Sequence, residues 1–207
     1  GGGFGGKETQ AGHLAVWAAV AAHKLGRPIK LRLDRDEDFM VTGKRHPFAY
    51  EYDVGFDNTG RITGLKLHMA ANCGFSADLS GPVADRAVFH ADNAYYLSDV
   101  EIASYRCKTN TQSHTAFRGF GGPQGVIVIE AILGDIARAL GLDAQDVRLA
   151  NLYGKDASSG RNVTHYQMAV EDNILHELMP TLEQTSHYRQ RQAEIADWNA
   201  RNAVIKR

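Results

Sequence analysis

Cysteine is scarce in this 207-residue chain, where Cys73 and Cys107 stand alone with no C-x-x-C pair. That excludes a disulfide framework and a thiolate zinc site. It reads instead as two buried thiols in a reducing compartment, the cytoplasm. An excess of either charge is lacking too. The 23 Lys and Arg nearly balance 24 Asp and Glu, so no global field favours nucleic acid or an anionic membrane surface. No apolar run reaches the roughly 20 residues that span a bilayer, and no signal peptide is evident. An initiator Met is missing as well, and no strand pattern leads into Gly1. Glycine, by contrast, is plentiful, and it gathers in two loops.

The first loop is Gly1-Gly2-Gly3-Phe4-Gly5-Gly6-Lys7-Glu8, and the second is Phe117-Arg118-Gly119-Phe120-Gly121-Gly122-Pro123. Gly1-x-Gly3-x-x-Gly6 matches the letters of a dinucleotide fingerprint, and Gly1-x4-Gly6-Lys7 most of a P-loop. The fingerprint lacks its preceding strand. The P-loop lacks the Ser or Thr that ligates magnesium, because position 8 is Glu. Each loop precedes a helix-like stretch, where backbone N–H groups and a partial positive charge are suited to an anion. Two such junctions are able to hold one multi-anionic ligand from two sides.

Between the loops the pattern is α+β: a few-stranded sheet with packed helices, and glycine-rich loops leading into helices. From Glu8 to Leu25 the chain is Ala-rich with helical spacing, stopped by Gly26 and Pro28. Ile29, Leu31 and Leu33 alternate with basic residues as in a strand. The run Asp34–Asp38 reads as a solvated turn rather than a metal site. Residues 48–71 predict a long hairpin turning at Asp57-Asn58-Thr59-Gly60. A loop over 73–82, a short helix over 84–93, a strand over 100–109 and a strongly apolar helix from Pro123 to Gly141 follow, then a short helix capped by Asp143. The motifs occupy an α+β core to about residue 155. The remaining stretch, about 156–207, is mainly helical and broken or kinked at Pro180.

Four side chains stand out for chemistry, each with a plain structural alternative. Glu8 is an acceptor beside the first loop, or a stabilising carboxylate in the first helical turn. Arg86 is a fixed cation among apolar neighbours, or half of an ion pair with Asp85 or Asp92. Arg118 is a ligand contact, or a loop brace that bonds carbonyls. Phe120 either plugs into the core or faces a planar ligand. His13, His23, His68, His90 and His114 show no metal-ligand spacing and read as structural or solvent-facing.

Six segments in order carry a resemblance: 1–9 (GGGFGGKET), 33–38 (LDRDED), 43–48 (GKRHPF), 85–93 (DRAVFHADN), 107–110 (CKTN) and 115–124 (TAFRGFGGPQ). Together they resemble the molybdenum-binding part of the xanthine/aldehyde oxidase family of molybdenum hydroxylases, end to end, with the last fifty residues least distinctive. The resemblance implies hydroxylation of a purine ring carbon, hypoxanthine and xanthine to urate, with water as oxygen source at a molybdenum–molybdopterin centre. It further implies 2Fe-2S clusters, FAD and NAD in other parts of the enzyme. Carried over residue by residue, the backbone at Phe4 and Gly5 lies beside the molybdenum, Arg118 contacts the cofactor, and no side chain here ligates the metal. Glu8 hydrogen-bonds the purine, Arg86 stabilises charge building on it, and Phe120 is one of two stacking aromatics. The pairing of Glu8 with Arg86 favours purine over aldehyde. In the family the catalytic base, a glutamine loop and the second aromatic lie beyond the matching segment. The resemblance thus implies an excised portion of a larger molybdenum subunit, inactive alone, partnered by the rest of that subunit and by the iron–sulfur/FAD domains or subunit. No nucleic-acid or membrane partner is implied.

Overall fold

The computed structural model describes residues 3–202 and 204–206. It divides into two units, Gly1–Asn151 and Leu152–Arg207. The first unit carries the sheet. Strands β1 (Phe48–Phe56) and β2 (Ile62–Gly74) form the expected antiparallel hairpin, with Phe48 opposite Ala71 and Tyr52 opposite Leu67. The turn is held by Asp57, whose Oδ1 accepts from the N–H groups of Thr59 and Arg61. Strand β3 (Val100–Lys108) pairs parallel to β2, with Leu67 opposite Ile102, giving the order β1-β2-β3. A parallel neighbour requires a crossover, and α3 (Ser80–Phe89) supplies it.

One face of this sheet is covered by α4 (Gly122–Leu140), whose Val128, Ile129, Ile132, Leu133 and Ile136 form the apolar stripe that the sequence pattern predicts. They are buried, as are Leu67 and Met69 of β2 and Val83 of α3, none of them more than 3% exposed. The other face carries Lys66 and Glu101, register partners joined by an exposed ion pair. The short helix α5 (Ala144–Asn151) begins where Asp143 Oδ1 accepts from Gln145 N at 2.9 Å. Its last residue, Asn151, is fully buried under the hairpin turn. Asn151 donates to the carbonyls of Gly60 and Val147, both at 2.8 Å, and accepts from Ile62 N at 2.8 Å.

Several sequence expectations are corrected. Helix α1 spans Gly12–Leu25, so Glu8 stands four residues ahead of it and not in its first turn. The glycines at 5 and 6 hold left-handed φ angles of 83° and 77°, which an α-helix excludes. Residues 29–33 form no strand: Ile29 and Leu33 are half-buried, Leu31 is exposed along with Lys30 and Arg32, and no described strand offers them a ladder. The acidic run is a helix, α2 (Arg35–Val41), rather than a turn. Asp34 accepts from Glu37 N at 2.8 Å while the Glu37 carboxylate accepts from Asp34 N, a reciprocal capping box. Cys73 is buried, but Cys107 is exposed, because it lies near the end of an edge strand.

Among the described residues, the second unit contains a single 3-10 turn at Ala157–Ser159 and two α-helices, α6 (Leu175–Thr185) and α7 (Tyr188–Arg201). Pro180 is carried inside α6, and His187, at φ 54°, turns the chain into α7.

Candidate functional site

Both glycine loops use the same backbone device. Phe4, Gly5 and Gly6 run at φ 46°, 83° and 77°, and Gly119, Phe120 and Gly121 at 92°, 51° and 101°. Each loop therefore holds three consecutive left-handed residues, one of them a phenylalanine. A bulky residue at positive φ costs on the order of 1–3 kcal/mol, strain that concentrates at ligand sites. Gly1 and Gly2, and with them the first letter of either nucleotide fingerprint, lie outside the described residues.

The two loops touch backbone to backbone. A Cβ on Gly5 would stand 2.8 Å from Phe117 Cα and 3.1 Å from Arg118 N, so only glycine permits the approach. Arg45 braces the second loop from beneath, donating to the Arg118 carbonyl at 2.6 Å with its guanidinium 4.8 Å from the centre of the Phe117 ring. Within the loop, Phe120 N donates to Phe117 O at 2.7 Å and Gly122 N to Gly119 O at 2.9 Å. Among the described residues the N–H groups of Gly6, Arg118 and Gly119 donate to no backbone carbonyl. The Arg118 side chain is exposed and makes no ion pair there.

Arg86 reaches the same region through α3. The N-terminal turn of α4 is pressed onto that helix, since a Cβ on Gly121 would fall 2.0 Å from Val83 O and one on Gly125 2.2 Å from Ala87 O. The His90 ring lies 3.4 Å from the corresponding position on Gly122. Arg86 Nε donates to His90 Nε2 at 3.2 Å. Arg only donates, so this bond assigns the lone pair to Nε2 and leaves both terminal nitrogens of the guanidinium available. The ion-pair alternative with Asp85 is not realised, because Asp85 pairs with Arg106. Phe120 is half-buried, while Phe4 is 92% exposed and so has no core to fill.

Glu8 turns back on its own loop, Oε1 accepting from Gly5 N at 2.7 Å and Oε2 from Lys7 N at 3.2 Å. The Gly5 N–H is the first cause that holds this exposed carboxyl below the ordinary carboxylate range. It is therefore an ionised acceptor with lone pairs to spare.

The sequence reading gave no site role to the residues that support this arrangement. Asp78, at φ 42°, accepts from Thr9 Oγ1 at 2.7 Å and from Gln10 Nε2 at 2.6 Å. Gln10 Oε1 accepts from Gly43 N at 2.6 Å. Beneath them His46, 2% exposed, shares a 2.8 Å hydrogen bond with Ser80 Oγ, and its ring centre lies 5.9 Å from that of His114. Burial first, then the neighbouring His114, push His46 down to about 4, against the opposing pull of Asp78. Burial lowers His114 as well. Among the described residues no three His, Cys, Asp or Glu side chains gather to hold a metal ion.

Free loop N–H groups, an unpaired Arg118 and left-handed glycine backbone are the donor set that an anionic cofactor requires, so the residues present fit one. A family model described as the molybdopterin cofactor-binding domain matches residues 1–152. The xanthine dehydrogenase/oxidase of Gallus gallus is 44% identical over all 207 residues, which span 15% of that relative. The aldehyde oxidoreductase from Desulfovibrio gigas superposes with a TM-score of 0.80 at 23% identity, covering 99% of this chain and 21% of that one. The reconstituted CO dehydrogenase from Oligotropha carboxidovorans gives 0.80 at 25% identity, with 97% and 25% covered. With most of its length matched by that model and both loops folded for an anion, the chain belongs to the molybdopterin cofactor-binding domain family.

Proposed function

We propose that this segment forms the substrate-gripping wall of a xanthine dehydrogenase-type enzyme that hydroxylates a purine, hypoxanthine and xanthine to urate. The observation that supports it is that the two glycine loops abut, with Glu8 bonded to the first and Arg86 bonded to the His90 ring that lies against the second. When bound, the molybdenum–molybdopterin group supplies the oxygen transfer and takes up the electron pair. The backbone at Phe4 and Gly5 and the free guanidinium of Arg118 would hold that group. Glu8, kept ionised by the Gly5 N–H, accepts a hydrogen bond from a purine N–H. Arg86, anchored through Nε to His90, turns its two terminal nitrogens to the purine oxygen where negative charge collects, as an oxyanion hole does. Phe120 offers its face to the ring.

The chain spans 15% of the curated relatives it matches, so the base, the second aromatic and the electron-transfer groups (2Fe-2S clusters, FAD and NAD) are assigned to the rest of the protein. Alone, the segment is expected neither to retain the cofactor nor to form urate. The unpaired cysteines accord with a cytoplasmic setting. The test is Arg86→Met in the full-length parent enzyme. Loss of one charge-stabilising contact is worth about 10²–10³-fold in turnover, so xanthine turnover should fall by that order while aldehyde turnover falls less than tenfold. Equal losses on both substrates would reject the purine assignment in favour of an aldehyde or N-heterocycle hydroxylase. Unchanged turnover of both would favour a scaffold role for this segment.

A further inference from the structure

The carboxylate of Asp78 and the amide of Gln10 form a contact that none of the roles above uses. Their donors and acceptors fit in one sense only. Asp78 accepts, so Gln10 presents Nε2 to it at 2.6 Å; the Gly43 N–H donates, so Gln10 presents Oε1 there at 2.6 Å. The amide cannot flip without breaking both bonds. The second oxygen of Asp78 takes the Thr9 hydroxyl at 2.7 Å. Thr9 and Gln10 are the two residues directly after Glu8, and no helix yet constrains the chain there, since α1 begins at Gly12. Three separate segments are thereby tied at one point: the turn before α3, the base of the first loop, and the connection at Gly43. A Cβ on Gly43 would meet Ser113 O at 2.1 Å, and Lys44 O accepts from Thr115 N at 3.0 Å. The same connection thus runs on to the second loop, whose Phe117 backs Gly5. Asp78 is held at φ 42°, a conformation in which Asp is tolerated but not favoured. Thr9, Gln10, Asp78, Ser76 and Ser113 line an open cleft of about 340 Å³, so the contact is wet on one side and must be held by its own geometry.

We propose that Asp78 and Gln10 are positioning residues, a carboxylate–amide clasp that fixes where Glu8 stands relative to the second glycine loop. The consequence for catalysis rests on the purine reading of Glu8; the clasp itself does not. Its polarity allows a swap. Gln10→Glu alone sets two carboxylates face to face, whereas Asp78→Asn alone keeps an acceptor for Gln10 and lets Thr9 Oγ1 accept. In the double variant the amide introduced at position 78 donates to the carboxylate introduced at position 10. That carboxylate still accepts from Gly43 N, and the amide oxygen at position 78 still accepts from Thr9 Oγ1.

The test uses the full-length parent protein with its cofactor, measuring hydrogen exchange across residues 3–12, molybdenum content, and kcat and KM for xanthine. Gln10→Glu should speed exchange of the loop by at least tenfold and lower kcat/KM for xanthine by a similar factor, with molybdenum content held within a third of wild type. Gln10→Glu/Asp78→Asn should return both readouts to within about threefold of wild type, as restored pairing in a coupled site requires. A double variant no better than Gln10→Glu, or a Gln10→Glu protein with unchanged exchange, would overturn the clasp. If exchange is lost and restored as described but Glu8→Gln leaves xanthine turnover untouched, the clasp stands and the purine role of Glu8 fails. Loss of folding in Gln10→Glu would itself be read against the double variant, whose failure to refold overturns the pairing.

Discussion

Gly125 is the place where the packing of α3 on α4 can be tested against a control in the same helix. A methyl at position 125 would lie 2.2 Å from Ala87 O and 2.8 Å from His90 C, both backbone atoms. Ordinary carbon–oxygen contact needs about 1 Å more, so α4 must back away from α3. Overpacking of that kind costs typically 1–3 kcal/mol, and the gain in helix propensity from Gly to Ala returns only about 1 kcal/mol. At Gly134, on the same helix, the nearest atom to the added methyl is the flexible tip of Arg138 at 3.4 Å, so only the gain remains. Urea unfolding of the chain, followed by circular dichroism with hydrogen exchange of α3 and α4, should therefore place Gly134→Ala about 0.5–1 kcal/mol above wild type and Gly125→Ala as much as about 2 kcal/mol below it. Because His90 and the second glycine loop meet across this contact, the same variant should loosen the amides of residues 117–122. A Gly125→Ala protein as stable as Gly134→Ala would refute the close approach, and with it the packing that sets the His90 ring against the second glycine loop.

Acid should unfold the first unit through its buried imidazoles. His46 titrates near 4 in the fold against about 6.5 when unfolded, so the neutral form is the one that folding favours. Its contribution is full above pH 6.5, is lost as pH falls from 6.5 to about 4, and totals about 3 kcal/mol. His46→Gln should flatten most of that slope in urea titrations between pH 7 and 4; an equally steep slope would assign the acid sensitivity elsewhere. At the hairpin turn, Asn151→Ala strands the Ile62 N–H and the Gly60 carbonyl in the core, at roughly 1–3 kcal/mol per group. Denaturant melts should show a loss of about 2–6 kcal/mol, and a loss below 1 kcal/mol would mean that water reaches the turn.

The hairpin, the apolar stripe of α4 and the Asp143 cap were legible because each rests on local periodicity or a turn signal, such as the alternation from Phe48 to Val54 or the Asp57–Gly60 turn. The failures share one cause. Residues 29–33 have a strand's alternation, but a strand exists only where a neighbour completes its hydrogen bonds. Asp34–Asp38 presented a row of carboxylates, and the reciprocal bonds of Asp34 and Glu37 turned it into a capped helix. Glu8 was read as helical from composition, but the left-handed glycines before it postpone the helix to Gly12.

By itself the sequence determined which residue types were available to a ligand, and where: an acceptor at Glu8, cations at Arg86 and Arg118, an aromatic at Phe120, and glycines spaced for left-handed loops. These follow from side-chain chemistry and the backbone freedom of glycine, which need no partner. Tertiary structure alone decided that positions 5 and 117, more than a hundred residues apart, lie backbone to backbone. It likewise decided that His90 carries Arg86, and that Asp78 and Gln10 hold the base of the first loop. Such contacts are set by steric exclusion and by donor–acceptor matching between distant segments, and no local pattern in the chain encodes them.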